Sequence, residues 1–230
     1  MQQKQYDEKA AKWSVENKNA CVGFFDEHNN WQGYELLFKD IIIKENARCL
    51  DFGCGPGRNI VKYNNLFKYI DGVDISAINL KNAEVWLKHN GCDTSKTRLY
   101  KCNGIDLSEI ISDQYDMIIS TICLQHICVH DIRYGYFKEF YRILNKDGYF
   151  SAQMGYGPCK SYVPFIETFG YHENYYDAKI TNGGCDTRVD SPEELKNDLE
   201  SIGFKNFTYY LTDSGPGGLH EKWIFFHCQK

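Results

Sequence analysis

The sequence predicts an α/β fold, in which one mostly parallel sheet of seven strands carries helices on both faces and ends in an antiparallel hairpin. Apolar runs of strand length alternate with helical segments along most of the chain, which indicates parallel pairing. The last two runs have no helix between them, so we expect them to pair antiparallel at the end of the sheet. The 230 residues, of which 43% are hydrophobic, are enough for one domain with a large core.

The predicted strands are short apolar runs, and all of them follow residue 46. The first five are residues 47–52, 69–75, 97–102, 115–124 and 145–154. The closing pair consists of residues 204–211 and 221–228, joined by the glycine-rich turn 212–218. Helices are predicted at residues 59–67, 76–91, 131–144 and 191–203. This order makes the first three helices crossovers of a doubly wound sheet.

Two of the predicted helices have clear start signals. Ser76 and Ser191 are good N-cap residues, and Pro192 occupies the first helical position after the second cap. An apolar stripe is expected to bury one face of helix 76–91, and it consists of Ile78, Val85 and Leu87.

Composition and charge narrow the class of protein. A formal net charge of -5 gives no electrostatic reason to bind nucleic acid, so no such partner is expected. Residues 1–13 lack the layout of a signal peptide, and the aliphatic run 41–43 is too short to span a bilayer. We therefore expect a cytoplasmic protein with no membrane partner and with its ten cysteines reduced. The oligomeric state stays open.

The stretch CLDFGCGPGRN, residues 49–59, follows the first predicted strand and suggests a nucleotide-like ligand. Its glycines form G-x-G-x-G, whereas a dinucleotide fingerprint needs its third glycine where this chain has Arg58. Asp51 would repel a pyrophosphate, but it suits a ligand that carries an ammonium group. Both features favour S-adenosylmethionine over a nicotinamide dinucleotide, although a glycine loop alone leaves both ligands open.

Further motifs follow in order, and together with the loop they resemble those of class I S-adenosylmethionine-dependent methyltransferases. They are LDFGCGPG (50–57), GVDIS (72–76), CNGIDL (102–107), YDMIISTICLQHI (115–127) and RILNKDGYF (142–150). The resemblance spans residues 47–154, about half of the chain, and the closing hairpin fits it too. It implies a Rossmann-like sheet and a single methyltransferase domain over residues 1–230.

The resemblance also implies a cofactor, S-adenosylmethionine, with S-adenosylhomocysteine as its product. Asp74 would accept hydrogen bonds from both ribose hydroxyls, and Asn103 would lie near the adenine, where the family often has an acid. The implied cofactor-binding residues are Asp51, Gly53, Cys54, Gly55, Gly57, Asn59, Asp74, Ile75, Asn103, Gly104, Ser120 and Gln125.

Several acceptor classes conflict with the motifs. Residues 120–123 read STIC, not the Asn/Asp-Pro-Pro-aromatic motif of amino-methylating DNA enzymes. The Pro158-Cys159 pair follows the fifth strand, whereas cytosine C5 enzymes carry theirs after the fourth. The acids of a catechol-type magnesium site are absent after the fourth strand, and His126 and His130 lack a matching third ligand, so no metal is predicted. The LQHI segment most resembles enzymes that methylate small molecules, with an oxygen or nitrogen acceptor preferred.

His126 is the candidate catalytic base, because it lies just beyond the fourth strand and a hydroxyl or ammonium acceptor must lose a proton. A helix-start histidine that bonds the backbone is the structural alternative. Three other functions stay open: methylation of RNA or protein, a catalytically silent partner subunit, and a nicotinamide-dependent oxidoreductase.

Two segments outside the strand–helix alternation are candidates for substrate contact. Residues 1–45 are expected to form a lid, in which Tyr6 and Trp13 would face the sulfonium or pack within the lid. Residues 155–190 form a predicted insert on the substrate side, and its candidate contacts are Tyr156, His172 and Arg188. A satellite hydrophobic cluster is the alternative interpretation of this insert.

Overall fold

The structure, a computed structural model, describes residues 2–17, 33–159, 171–172, 175–176, 186–215 and 220–230. Its α-helices are α1 (Gln2–Ala10), α2 (Arg58–Tyr63), α3 (Ala77–His89), α4 (His130–Ile143) and α5 (Pro192–Ile202). Its strands are β1 (Arg48–Phe52), β2 (Tyr69–Asp74), β3 (Leu99–Lys101), β4 (Tyr115–Ser120), β5 (Leu144–Cys159), β6 (Tyr171–His172), β7 (Asp186–Thr187), β8 (Lys205–Asp213) and β9 (His220–Gln229). Short 3-10 turns lie at Tyr34–Phe38, Thr94–Lys96 and Leu124–His126.

Seven strands form one sheet in the order β3-β2-β1-β4-β5-β9-β8. Strands β1 to β5 pair in parallel, whereas β9 runs antiparallel to both β5 and β8. The predicted sheet and its closing hairpin are therefore confirmed. The strand order reverses between β1 and β4, so the carboxyl ends of these two strands flank a crevice where ligands bind in such sheets.

Helices cover both faces of the sheet, as predicted. On one face, α4 and α5 pack buried residues such as Phe140 and Leu199 against Ile118 and Phe150 of the sheet. On the other face, α2 and α3 bury residues that include Ile60 against the sheet. Each face thus has its own apolar cluster, and the central strands are buried on both sides, as parallel sheets require.

The predicted helix caps are present. The Ser76 hydroxyl accepts a hydrogen bond from the Asn79 backbone N–H at 3.1 Å. Ser191 and Glu194 form a capping box at the start of α5. These local interactions explain why both helices begin where the sequence indicates.

The predicted stripe of the helix at 76–91 is wrong for Val85, whose exposed fraction is 49%. The residues that α3 buries are Asn79, Leu80, Ala83, Trp86 and Leu87. The reason is that α1 covers a second side of α3, where Trp13 packs edge-on against Trp86. A helix that is covered on two sides buries polar and aromatic positions that a single stripe does not include.

Two strand ends lie four or five residues from the predicted bounds, and the others lie within two. Strand β4 stops at Ser120, because Ile122 adopts a positive φ of 51° that turns the chain away from the sheet. Strand β5 continues to Cys159 along β9, so the first five residues of the predicted insert are strand. Among the described residues, no helix is both long and apolar enough to cross a membrane.

Candidate functional site

The glycine loop leaves β1 and enters α2 through three left-handed residues. Gly53, Gly55 and Gly57 have φ values of 73°, 53° and 87°, which side-chain-bearing residues rarely adopt. A Cβ atom at Gly53 would lie 2.2 Å from the sulfur of Cys123, so the loop could not pack there with a larger residue. A Cβ atom at Gly55 would meet nothing within 4 Å. The loop therefore presents bare backbone to open space.

Asp74 ends β2 beside this loop and is held by backbone donors. The Gly55 N–H donates to its Oδ2 at 2.9 Å, and the Ser76 N–H donates to its Oδ1 at 2.8 Å. Burial raises the pKa of this carboxyl against the lowering effect of both hydrogen bonds. The two N–H groups orient the carboxylate. Oδ1 also accepts from the Asn79 side-chain amide at 3.5 Å, so Oδ2 is the oxygen that keeps a further lone pair for a ligand donor.

Asp51 lies beneath the loop and is fully buried. Its Oδ1 accepts a hydrogen bond from the Asn59 amide at 3.2 Å, and its Oδ2 has no hydrogen-bond partner in the structure. Burial raises the pKa of this carboxyl to about 7, although Asn59 and Arg58 act in the opposite direction. The Oδ1 of Asn59 also has no partner. Asp51 and Asn59 thus each bury one oxygen that has no hydrogen-bond donor.

A cavity of about 360 Å³ opens at the carboxyl ends of β1, β2 and β4. Ten of the sequence-predicted site residues line it: Tyr6, Gly53, Cys54, Gly55, Asn59, Asp74, Ile75, Asn103, Gly104 and His126. Asn103 uses its side-chain oxygen to accept the backbone N–H groups of Ile105 and Asp106, at 2.8 and 2.9 Å. Its oxygen therefore shapes the turn after β3.

Helix α1 covers the cavity and contributes Gln3 and Tyr6 to its lining. The helix is fixed to α3, since the Ser76 hydroxyl donates to Asp7 at 2.5 Å and the Asn82 amide donates to the Ala10 carbonyl at 2.9 Å. Burial raises the pKa of the Tyr6 phenol well above its usual value. The phenol therefore stays protonated at neutral pH.

His126 lines the cavity from the turn after β4. Its Nδ1 lies 2.5 Å from Oδ1 of Asp186 in β7, and the Tyr6 ring lies 6.3 Å from its ring. Burial alone would raise the pKa of Asp186, but the His126 contact lowers it below its usual value. Because this carboxyl is ionised, the proton between the two groups belongs to Nδ1, and His126 donates.

The site matches a known family. A model described as a methyltransferase domain matches residues 50–152, which include the glycine loop, Asp74 and His126. CRG1 of Saccharomyces cerevisiae, described as a probable S-adenosylmethionine-dependent methyltransferase, is 30% identical over 168 residues. The chain carries a methyltransferase domain, and its similarity to CRG1 indicates the S-adenosylmethionine-dependent kind. The match covers 71% of this chain and 55% of CRG1, so the chain spans just over half of that relative's length.

Solved methyltransferases share the fold. The phosphoethanolamine N-methyltransferase 2 of Haemonchus contortus, in complex with phosphomonomethylethanolamine and S-adenosylhomocysteine, gives a TM-score of 0.65 at 17% identity. The match covers 86% of this chain and 52% of that one. A complex of the Haloferax volcanii Trm112 methyltransferase activator with a methyltransferase gives a TM-score of 0.64 at 15% identity. This match covers 100% of this chain and 97% of that one. The domain match and the similarity to CRG1 indicate S-adenosylmethionine as the cofactor, and the solved structures show that the fold is shared.

The buried acceptors and the bare loop fit this cofactor. The donor-less oxygens of Asp51 and Asn59 suit its ammonium group, and the open space at Gly55 suits a close approach of its methionine part. At Gly104, φ is 84° and a Cβ atom would lie 2.8 Å from Cδ1 of Ile75, so the strand-three turn also presents backbone to the cavity.

Other sequence-predicted residues of this methyltransferase lie outside the cavity lining, and their binding roles stay predictions. Asp51 and Gly57 do not line the cavity, Ser120 donates to the Phe52 carbonyl at 3.0 Å, and Gln125 is buried. Among the substrate candidates, Trp13 packs on Trp86, Tyr156 packs against the core, and Arg188 pairs with Asp190 at 2.8 Å. His172 lies in β6, and its side chain lies outside what the structure describes.

Sequence reasoning missed several residues of the site. Ile132 and Tyr136 of α4 line the cavity, and their helical spacing after His126 is a signal that could have identified them. Asp186 contacts His126 from a two-residue strand sixty positions away, and no local pattern indicates it. The histidines at 126 and 130 bond different carboxylates, Asp186 and Asp198. No cluster of metal-ligating side chains occurs within the described ranges.

The cysteines that line the cavity are protonated thiols at neutral pH. Burial raises the pKa of Cys54, Cys102 and Cys123 above the usual value. Seven cysteines of the described segments form no disulfide in the structure, and the reduced state of all ten stays a prediction. A thiol with a raised pKa is a poor nucleophile, so these residues shape the cavity.

Proposed function

We propose that this methyltransferase transfers a methyl group from S-adenosylmethionine to an oxygen or nitrogen atom of a small-molecule acceptor, with His126 as the base. The observation that carries the proposal is the cavity itself. The glycine loop, Asp74 and His126 all line it, and α1 contributes Gln3 and Tyr6. A donor site and a proton acceptor thus share one enclosure.

The roles of the cofactor-binding residues follow from their positions. Asp74 is the acceptor for the ribose hydroxyls, because its carboxylate is oriented by two backbone N–H groups at the cavity wall. Asp51 and Asn59 are the acceptors for the ammonium group, because each has a buried oxygen without a donor. Ile75 and Gly104 form the wall against the adenine.

The bound cofactor supplies an activated methyl group, whose bond to sulfur breaks as an acceptor lone pair forms the new bond. The protein's part is to hold the acceptor in line and to remove its proton. Nδ1 of His126 donates to Asp186, so Nε2 is the atom at which the acceptor's proton would be received. Such a base contributes about a hundredfold or more to a proton-transfer step.

The surroundings of His126 favour a small acceptor. Ile127, Val129 and Ile132 give this part of the cavity an apolar wall, and α1 closes it from above. A cavity of about 360 Å³ is at the low end of the range for small-molecule sites. The Haemonchus contortus structure, which holds phosphomonomethylethanolamine, is one example of a small acceptor on this fold.

The test is transfer of a labelled methyl group. The protein is incubated with methyl-labelled S-adenosylmethionine and fractionated cell metabolites, and the labelled product is identified by mass spectrometry. We expect label in a small molecule with a new O-methyl or N-methyl group. Label confined to RNA or protein would contradict the small-molecule acceptor. Cofactor binding without transfer to any fraction would instead favour the silent partner subunit.

A further inference from the structure

The contact between His126 and Asp186 is built by the fold. His126 sits in the turn after β4, and Asp186 is the first residue of β7. Their polar atoms, Nδ1 and Oδ1, lie 2.5 Å apart. The side chains are 22% and 16% exposed, so the pair is largely shielded from water, where a charge-assisted hydrogen bond is strong.

Asp186 is anchored to the sheet. Three residues after it, the Val189 N–H donates to the Gly155 carbonyl at 2.9 Å, and the Gly157 N–H donates to the Val189 carbonyl at 3.0 Å. The intervening Thr187 is fully buried. Strand β7 is therefore tied to β5, and the Asp186 carboxylate has a fixed position relative to the cavity.

A second histidine faces the other oxygen of this carboxylate. His220 Nε2 lies 3.8 Å from Oδ2 of Asp186, and the His220 ring is fully buried over Gly155. Burial lowers the pKa of His220 to about 4, against the raising effect of Asp186. His220 is therefore neutral at physiological pH. The other charged groups near Asp186 are Lys9, through space, and Arg188, which lies near His220.

We infer that Asp186 is a positioning residue for the transfer reaction: it holds His126 as the Nδ1–H tautomer and stabilises the imidazolium that forms when Nε2 receives the acceptor's proton. This inference rests on the proposed function of His126 as a base. In the step, the proton leaves the acceptor oxygen or nitrogen for Nε2. The electron pair it leaves behind stays on the acceptor, which bonds the methyl carbon, and the imidazolium charge lies next to the Asp186 carboxylate.

The first test needs no acceptor. Protein labelled with ¹⁵N-histidine is saturated with S-adenosylhomocysteine, and long-range ¹H–¹⁵N spectra of the imidazoles are recorded from pH 5 to 9, with His126→Gln for assignment. We expect neutral His126 as the Nδ1–H tautomer. In Asp186→Asn its titration midpoint should fall by about one pH unit or more, because a contacting carboxylate stabilises the charged ring. Asp190→Asn, in the same segment and half exposed, should leave the midpoint unchanged.

An Nε2–H tautomer in the wild-type protein would overturn the inference, and so would an unchanged midpoint in Asp186→Asn. The tautomer measurement on the wild type decides the question even where that variant fails to fold. The second test is labelled transfer: Asp186→Asn should bind S-adenosylhomocysteine normally but transfer at least tenfold more slowly at neutral pH, with Asp186→Glu partly restoring the rate. If the wild-type protein transfers no methyl group, the proposed function is refuted. The imidazole spectra test the His126–Asp186 pair independently of transfer.

Discussion

At the scale of single residues, Asp51 combines a structural cost with a proposed binding role. It is fully buried, one of its oxygens has no donor, and burial raises its pKa to about 7. A buried carboxylate without a full set of partners destabilises the folded protein. Such a cost is typical of a residue kept for a ligand, because the ligand's ammonium group would supply the missing charge.

Replacing Asp51 with Asn should change how stability depends on pH. The folded-state pKa of about 7 lies above the unfolded value of about 3.9, so the folded state binds this proton more tightly. The wild-type protein therefore loses stability as the pH rises from about 4 to about 7. Asp51→Asn lacks this titration, so its stability relative to wild type should increase by about 2 kcal/mol between pH 5 and pH 8. Urea unfolding of the two ligand-free proteins at pH 5 and pH 8 measures this difference in the free energy of unfolding.

The matched control for Asp51 is Asp147→Asn, an exposed carboxylate at a positive φ of 63° that Asn also tolerates. Its stability difference from wild type should be the same at both pH values. Equal behaviour of the two variants would show that Asp51 does not carry a raised pKa in the folded state.

Asp74 is expected to contribute directly to cofactor affinity. Asp74→Ala removes the acceptor proposed for the ribose hydroxyls, and hydrogen bonds to a charged group are worth about 1.5–3 kcal/mol. The dissociation constant for S-adenosylhomocysteine should therefore rise by about ten- to 150-fold in calorimetric titrations. Asp74→Asn keeps one acceptor oxygen, so its dissociation constant should lie between those of the wild type and Asp74→Ala. Unchanged affinity in Asp74→Ala would mean that the ribose binds elsewhere.

At the scale of elements, the sequence predicted what depends on local periodicity. The mostly parallel sheet, its closing hairpin and both serine caps follow from apolar runs and N-cap chemistry, and they are present in the structure. Contacts between distant segments have no such signal. Val85 is exposed, and Trp86 is buried instead, because α1 packs on α3. Asp186 reaches His126 from a strand of two residues, which is too short to show a pattern.

Helix α1 is expected to act as a cover whose attachment depends on Trp13. The Trp13 ring is 8% exposed and packs at 85° to Trp86, with a centroid distance of 6.0 Å. Trp13→Ala should loosen α1, speed amide hydrogen exchange in residues 2–10 and weaken S-adenosylhomocysteine binding several-fold, because Tyr6 and Gln3 line the cavity from this helix.

Val15→Ala is the matched control for Trp13, because Val15 packs against the same two tryptophans but is only partly buried. It should change exchange in α1 much less. Unchanged exchange in Trp13→Ala would show that the two hydrogen bonds from α3 are enough to hold the helix.

At the scale of the whole molecule, the cofactor site lies where the two apolar clusters meet the carboxyl edge of the sheet. The glycine loop, α1 and the turn after β4 all contribute to this site. Ligand binding should therefore stabilise the entire fold. At a hundred times its dissociation constant, S-adenosylhomocysteine should add about 2.7 kcal/mol, which is roughly 5–10 °C in Tm for a chain of this size.

Nicotinamide adenine dinucleotide is the matched control ligand for that shift. Arg58 replaces the fingerprint glycine, and the Asp51 carboxylate beneath the loop disfavours a pyrophosphate. We therefore expect no shift with this dinucleotide. A shift with it alone would contradict the assignment of the cavity.

The central claim is that one cavity holds both the methyl donor and the base that prepares the acceptor. It is tested most directly by single-turnover methyl transfer to the identified acceptor, comparing wild type with His126→Gln at saturating S-adenosylmethionine. We expect transfer at least about a hundredfold slower in the variant, with the affinity for S-adenosylhomocysteine unchanged. Equal transfer rates in the two proteins would contradict the claim.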